Sequence, residues 1–171
     1  YEVSAEIMLD GAGWAGVMGR ISGTGAGWGC NPKGYYARLA EDGTVSIWVA
    51  NASQNGDPGK QLASGKLADF KAEKWHNLKL RFAGTKISAL VDDAEVVTAT
   101  DSTYACGMAG LVSGGEKNAR NTALFDDLVI NTVGAPKPDP TSVVQAVIPM
   151  YQSGMTAAQV EAIAQRKTVA G

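Results

Sequence analysis

Histidine and cysteine are almost missing from this chain, with one His and two Cys in 171 residues. That scarcity excludes most of the arrangements on which small hydrolases and metal proteins run. A structural zinc site draws on Cys and His ligands in close pairs, and Cys30 and Cys106 form no such pair. They leave two arrangements open, a disulfide in an exported protein or two separate thiols. A Ser-His-Asp or Cys-His triad would have to use His76, which sits on the apolar face of a strand with Leu78 and reads as a core histidine. No G-x-S-x-G elbow occurs, and the glycines of GTGAGWGCNPKG lead into no helix whose N-terminus could hold a phosphate.

Charge of one sign is lacking too. The formal net charge is −2, and no cluster of Lys or Arg stands out, which argues against nucleic acid as a partner. No apolar run approaches the ~18 residues a membrane-spanning helix needs. The chain opens on the strand-like YEVSAEIML with neither an initiator Met nor a leader. It therefore reads as a fragment of a larger protein, or as a processed chain.

Glycine is plentiful, at 21 residues, and falls between short apolar runs. Alternation at period two recurs throughout, as in Tyr1, Val3, Ala5, Ile7 and Leu9 against Glu2, Ser4, Glu6 and Met8. About ten such runs, at turn spacings of roughly 8–12 residues, predict an all-β fold: an antiparallel β-sandwich of jelly-roll type. The alternating prolines after Ala135 exclude sheet interior and predict an extended linker. The expected organisation is thus a sandwich over 1–133, a Pro-rich linker over 134–141, and a tail over 142–171. Thr156 and Gln159 make a capping-box pattern in that tail, and Val160, Ile163 and Ala164 a narrow apolar stripe, so Met155–Lys167 reads as a short helix.

The stretch ALFDDLVI (Ala123–Ile130) places two carboxylates inside an apolar run. Adjacent residues on a strand face opposite ways, so Asp126 and Asp127 cannot act together across a glycosidic bond. No catalytic site is expected. Two other uses of the residues remain. Aromatic side chains on exposed loops stack on the C–H faces of sugar rings, and Trp28, Tyr35 and Tyr36, in and after the Gly-rich loop, are the candidates for carbohydrate binding. Trp14 and Trp48 are weaker candidates, since each stands beside apolar strand residues, where a tryptophan is more often core. The second use is a cation. Calcium takes six to eight oxygens, and the first and last strands of a jelly roll lie side by side, which pairs Asp126 with Glu6 or Glu2 as ligands for a structural Ca²⁺, or else leaves solvated edge acids.

Several stretches together resemble a known family. GWAGVMGRISGTGAGW with PKGYYARLAEDGTVSIW, LASGKL, KWHNLKLRFAGTKISALVDD, TDSTYACGMAGLVSG and ALFDDLVI are similar to the C-terminal lectin-like domain of galactocerebrosidase-type glycoside hydrolases, family 59. The order and spacing hold across roughly residues 1–131, and parts of the pattern occur more widely among concanavalin A-like sandwiches. The resemblance implies a non-catalytic concanavalin A-like sandwich. Such a domain carries calcium and packs beside a separate catalytic barrel, and the Phe-Asp of the last strand maps to Phe125-Asp126. The expected function is a lectin-like module that binds or presents a galactose-containing glycan for a glycoside hydrolase. The alternative is a structural subunit that docks on a catalytic chain without binding sugar.

Overall fold

A computed structural model of the chain describes residues 1–11, 13–22, 33–51, 59–115 and 122–131. Trp28, Cys30, the linker and the expected helix lie outside those residues. The described residues form strands β1 (Glu2–Asp10), β2 (Trp14–Ser22), β3 (Lys33–Ala40), β4 (Thr44–Asn51), β5 (Lys60–Lys66), β6 (His76–Ala83), β7 (Lys86–Val91), β8 (Ala94–Thr100), β9 (Met108–Gly114) and β10 (Thr122–Asn131). Every run with period-two alternation in the sequence is one of these strands.

Two five-stranded sheets result, ordered β10-β1-β6-β7-β8 and β5-β4-β3-β2-β9, with antiparallel pairing throughout. β1 packs over β2, β6 over β2 and β3, and β8 over β4 and β5. Between the sheets lie the alternate residues the pattern singles out. Val3, Ala5 and Ile7 of β1 meet Val17, Ala37, Leu39 and Ile47 from the other sheet, all with zero exposure. Each fully buried Leu, Ile or Val contributes about 1.5–3 kcal/mol. A one-residue slip would turn that whole set to solvent, which is what fixes the register.

Turn chemistry closes the hairpins. Asp92 and Asp93 both adopt positive φ (50° and 65°) between β7 and β8, as a two-residue hairpin turn requires. Asp42 anchors the β3–β4 turn by accepting from the Thr44 N–H and hydroxyl, each at 2.9 Å.

The last strand carries a bulge. The β1–β10 register shifts between Ser4 and Glu6, and Asp127 takes a φ of 47° there. The Asp127 N–H donates to Asp126 Oδ1 at 2.8 Å, and both aspartates are exposed. A bulge admits an extra residue and lets the strand bend without burying either acid.

Candidate functional site

The two sheets have outer faces of different character, and the difference follows from strand parity. On β3, Tyr35, Ala37 and Leu39 point into the core, so Tyr36 and Arg38 point outward. On β4, Val45, Ile47 and Val49 point in, and Ser46 and Trp48 point out. On β2, Ala15 and Val17 point in, leaving Trp14 and Met18 outside.

Three aromatic rings are thereby set in a row across β2, β3 and β4. Trp14 stacks on Tyr36 with ring centroids 6.3 Å apart, and Tyr36 on Trp48 at 6.1 Å and 9° between planes. The Arg38 guanidinium carbon lies 4.0 Å from the Trp14 ring, 4.2 Å from Trp48 and 4.8 Å from Tyr36. Because Arg38 stands on the middle strand, the two indoles reach it from the strands on either side. A cation against aromatic faces is stabilised by about 0.5–2 kcal/mol, more as water is excluded.

The local sequence makes room for this arrangement. A Cβ at Gly114 on β9 would sit 2.5 Å from the Trp14 ring, so only glycine lets the indole lie flat there. Trp48 Nε1 donates to Ser46 Oγ at 2.8 Å, which fixes the second indole. Met18, Ile21 and Ala50 close the floor around Tyr36.

Arg38 spends few of its donors on the protein. Nη2 donates to Tyr36 Oη at 2.8 Å, Nε is buried without a partner, and no carboxylate among the described residues pairs with the guanidinium. Burial pulls its pKa below the ordinary arginine value, with Tyr36 opposing that shift. Arg20, the other arginine of this sheet, differs. It gives Nη1 to the Tyr104 carbonyl at 3.0 Å and Nη2 to the Gly84 carbonyl at 2.7 Å, with its guanidinium over Phe82. Arg20 ties loops together; Arg38 ties down little beyond its own cage.

Of the residues expected to stack on sugar, Tyr36 belongs to this face, although at 5% exposure it forms the floor. Tyr35 does not belong to it. It is fully buried, its hydroxyl donates to Asp101 Oδ1 and accepts from the Tyr104 N–H, and its ring packs against Phe82 and Tyr104. The reason is parity: Tyr35 follows the inward set of β3. Trp28 lies outside the described residues. Trp14 and Trp48, the weaker candidates, lie on the outer face, half-buried, and not in the core. The signal that could have placed them was in the sequence, since each alternates with the inward residues of its own strand.

Glu6 and Asp126 are direct cross-strand neighbours on β1 and β10. Glu2 is not part of that pair: it lies opposite Asn131, and its carboxylate accepts from Arg81 Nε. Glu6 Oε1 also accepts from Asn77 Nδ2 at 3.0 Å. Among the described residues no three metal-ligating side chains come together, and two carboxylates fall far short of a calcium shell. Among the described residues this pair alone does not make up a calcium shell. His76 is satisfied, with Nδ1 2.8 Å from Asp92 Oδ2, Nε2 3.1 Å from the Lys71 carbonyl, and the ring against Phe70. Cys106 is a free, exposed thiol.

No family model matches the chain, and no curated protein matches it. Solved structures do. A carbohydrate binding module, CBM66 from Bacillus subtilis, superposes with a TM-score of 0.57 at 21% identity, over 74% of this chain and 71% of that one. Sheep galectin-11, in complex with glycerol, gives 0.50 at 13% identity, over 75% and 86%. The fold is a lectin-like β-sandwich. At such identities the likeness concerns the fold, and function has to be argued from the site.

Proposed function

We propose that this sandwich binds a glycan on the outer face of the sheet β5-β4-β3-β2-β9, through Trp14, Trp48 and Arg38 over a floor of Tyr36. The observation that carries the reading is the row of three rings across neighbouring strands, with an arginine held among them. Sugar rings offer apolar C–H faces to aromatic side chains and hydroxyls to polar ones, and a partly exposed aromatic surface beside a polar group meets both. The fold shared with a carbohydrate binding module supports the reading. No step in it needs a nucleophile, a general base or a metal ion.

The sugar and the setting belong to the same proposal. The resemblance to the lectin-like domain of family 59 glycoside hydrolases favours a galactose-containing glycan and an accessory role beside a catalytic domain, in an exported protein. A glycan-array screen of the intact chain tests the reading: retention of a defined set of sugars is expected, and an array with no retained sugar overturns it.

One observation favours a second reading, docking on a separate catalytic chain. β10 is an edge strand that exposes Leu124, Leu128, Val129 and Ile130, the last at 58%. Copurification of a barrel-bearing chain, lost on Ile130→Lys, would support it.

A further inference from the structure

The five strands of the sheet β5-β4-β3-β2-β9 contain no Asp or Glu. Their charged residues are Arg20, Lys33, Arg38, Lys60 and Lys66, all cationic. The acids found in strands all lie in the other sheet: Glu2, Glu6 and Asp10 on β1, Glu95 on β8, and Asp126 and Asp127 on β10. A chain of net charge −2 thus carries one sheet without a single acid. Two of the cations are used within the fold, Arg20 by carbonyls and Lys66 by Asp42 at 3.0 Å. Arg38 sits at the centre of the proposed site, and among the described residues no acid pairs with it.

Resting on the sugar-binding reading above, we propose that Arg38 is the subsite for the carboxylate of an acidic sugar, so that the glycan recognised contains a uronic acid. Three features support it. Nη1 makes no hydrogen bond among the described residues, and Nη2 has given only one, to Tyr36. The two terminal nitrogens therefore keep three N–H groups between them, and their spacing matches the oxygens of one carboxylate. Desolvation by the indoles strengthens a charge-assisted contact with a ligand, because water competes less there.

The third feature is the shortage of acceptors. A neutral sugar hydroxyl donates as well as accepts, and a site for it supplies both kinds of partner. Among the described residues, the acceptors beside Arg38 each already take a bond, Tyr36 Oη from Arg38 Nη2 and Ser46 Oγ from Trp48 Nε1. A carboxylate only accepts, which suits a face that has donors to spare. The indole faces then take the C–H side of the sugar ring, and the guanidinium edge takes its acid group.

Isothermal titration of the full chain with oligogalacturonate and oligoglucuronate, against uncharged galactose and glucose oligomers of the same linkage, reads the charge directly. One uronate is expected to bind at least about tenfold tighter than its uncharged counterpart. That preference should shrink as ionic strength rises, because added salt screens the contact. Arg38→Gln should abolish the preference, and Arg38→Lys should keep part of it, since the charge stays and the fork is lost. If Arg38→Gln fails to fold, the salt series on the unaltered chain decides. Equal or weaker affinity for the uronates, with binding of neutral sugars intact, overturns the carboxylate subsite and leaves the sugar-binding reading standing. No binding of any sugar overturns that reading itself.

Discussion

Tyr35 and Tyr36 are neighbours in sequence with opposite fates. Tyr35 is locked in the core, where burial and the Asp101 hydrogen bond push its phenol above the ordinary value. Removing its hydroxyl leaves the Tyr104 N–H and Asp101 each short of a partner. Tyr35→Phe is therefore expected to cost about 1–3 kcal/mol and to lower the melting temperature by several degrees, with sugar affinity unchanged. Asp42 offers a residue-scale test in pH. Its bonds from the Thr44 hydroxyl and N–H, and then from Lys66, hold its pKa down to about 2. A depressed carboxylate stabilises the fold above its unfolded pKa and loses that contribution as pH falls through the folded value. Between about pH 4 and pH 2 the native chain should lose stability faster than Asp42→Asn, as thermal melts at stepped pH would show. The group is largely exposed, so the difference should be small. No sequence pattern foretold the cage around Arg38. Arginine on an alternating strand reads as an ordinary solvated residue until the strands on either side are known.

At the scale of the element, the strands were legible because two faces with unequal solvent exposure impose period two on the residues. Glycine and aspartate turns mark the ends for the same reason, since φ above zero suits few other residues. The pairing of β1 with β10 was legible from jelly-roll topology, and Glu6 does lie opposite Asp126. The place of Trp14 and Trp48 was legible only through parity, because a tryptophan among apolar neighbours carries no mark of its own of which face it takes. Parity supplies it only once the inward set is chosen. The β7–β8 hairpin gives a test of the turn argument. Asp92 holds its positive φ while accepting from the Asn77 N–H at 2.9 Å and contacting His76 Nδ1. Asp92→Ala loses both bonds and disfavours that conformation, with an expected cost of about 1–3 kcal/mol in a urea melt. Asp92→Asn keeps an acceptor and tolerates positive φ, so it should lose clearly less.

At the scale of the whole molecule, the sandwich divides its chemistry between its faces. One sheet carries the strand acids and pairs two of them with its own cations, Glu2 with Arg81 and Glu95 with Lys86. The other holds the aromatic row and no acid. Composition concealed this, since a net charge near zero averages the two sheets. The oxygens at Glu6 and Asp126 are too few for a calcium ion, so EDTA should leave both the melting temperature and sugar affinity unchanged. A bound ion at 100 times its Kd would add about 2.7 kcal/mol, and its removal would show as a fall of a few degrees. The central claim is that sugar is held on the aromatic face of the β5-β4-β3-β2-β9 sheet, and the affinity of Trp48→Ala tests it most directly. Titrated with the sugar best retained by the intact chain, the variant should bind at least about tenfold more weakly, with its circular dichroism spectrum preserved. Undiminished affinity in a folded Trp48→Ala would contradict the claim.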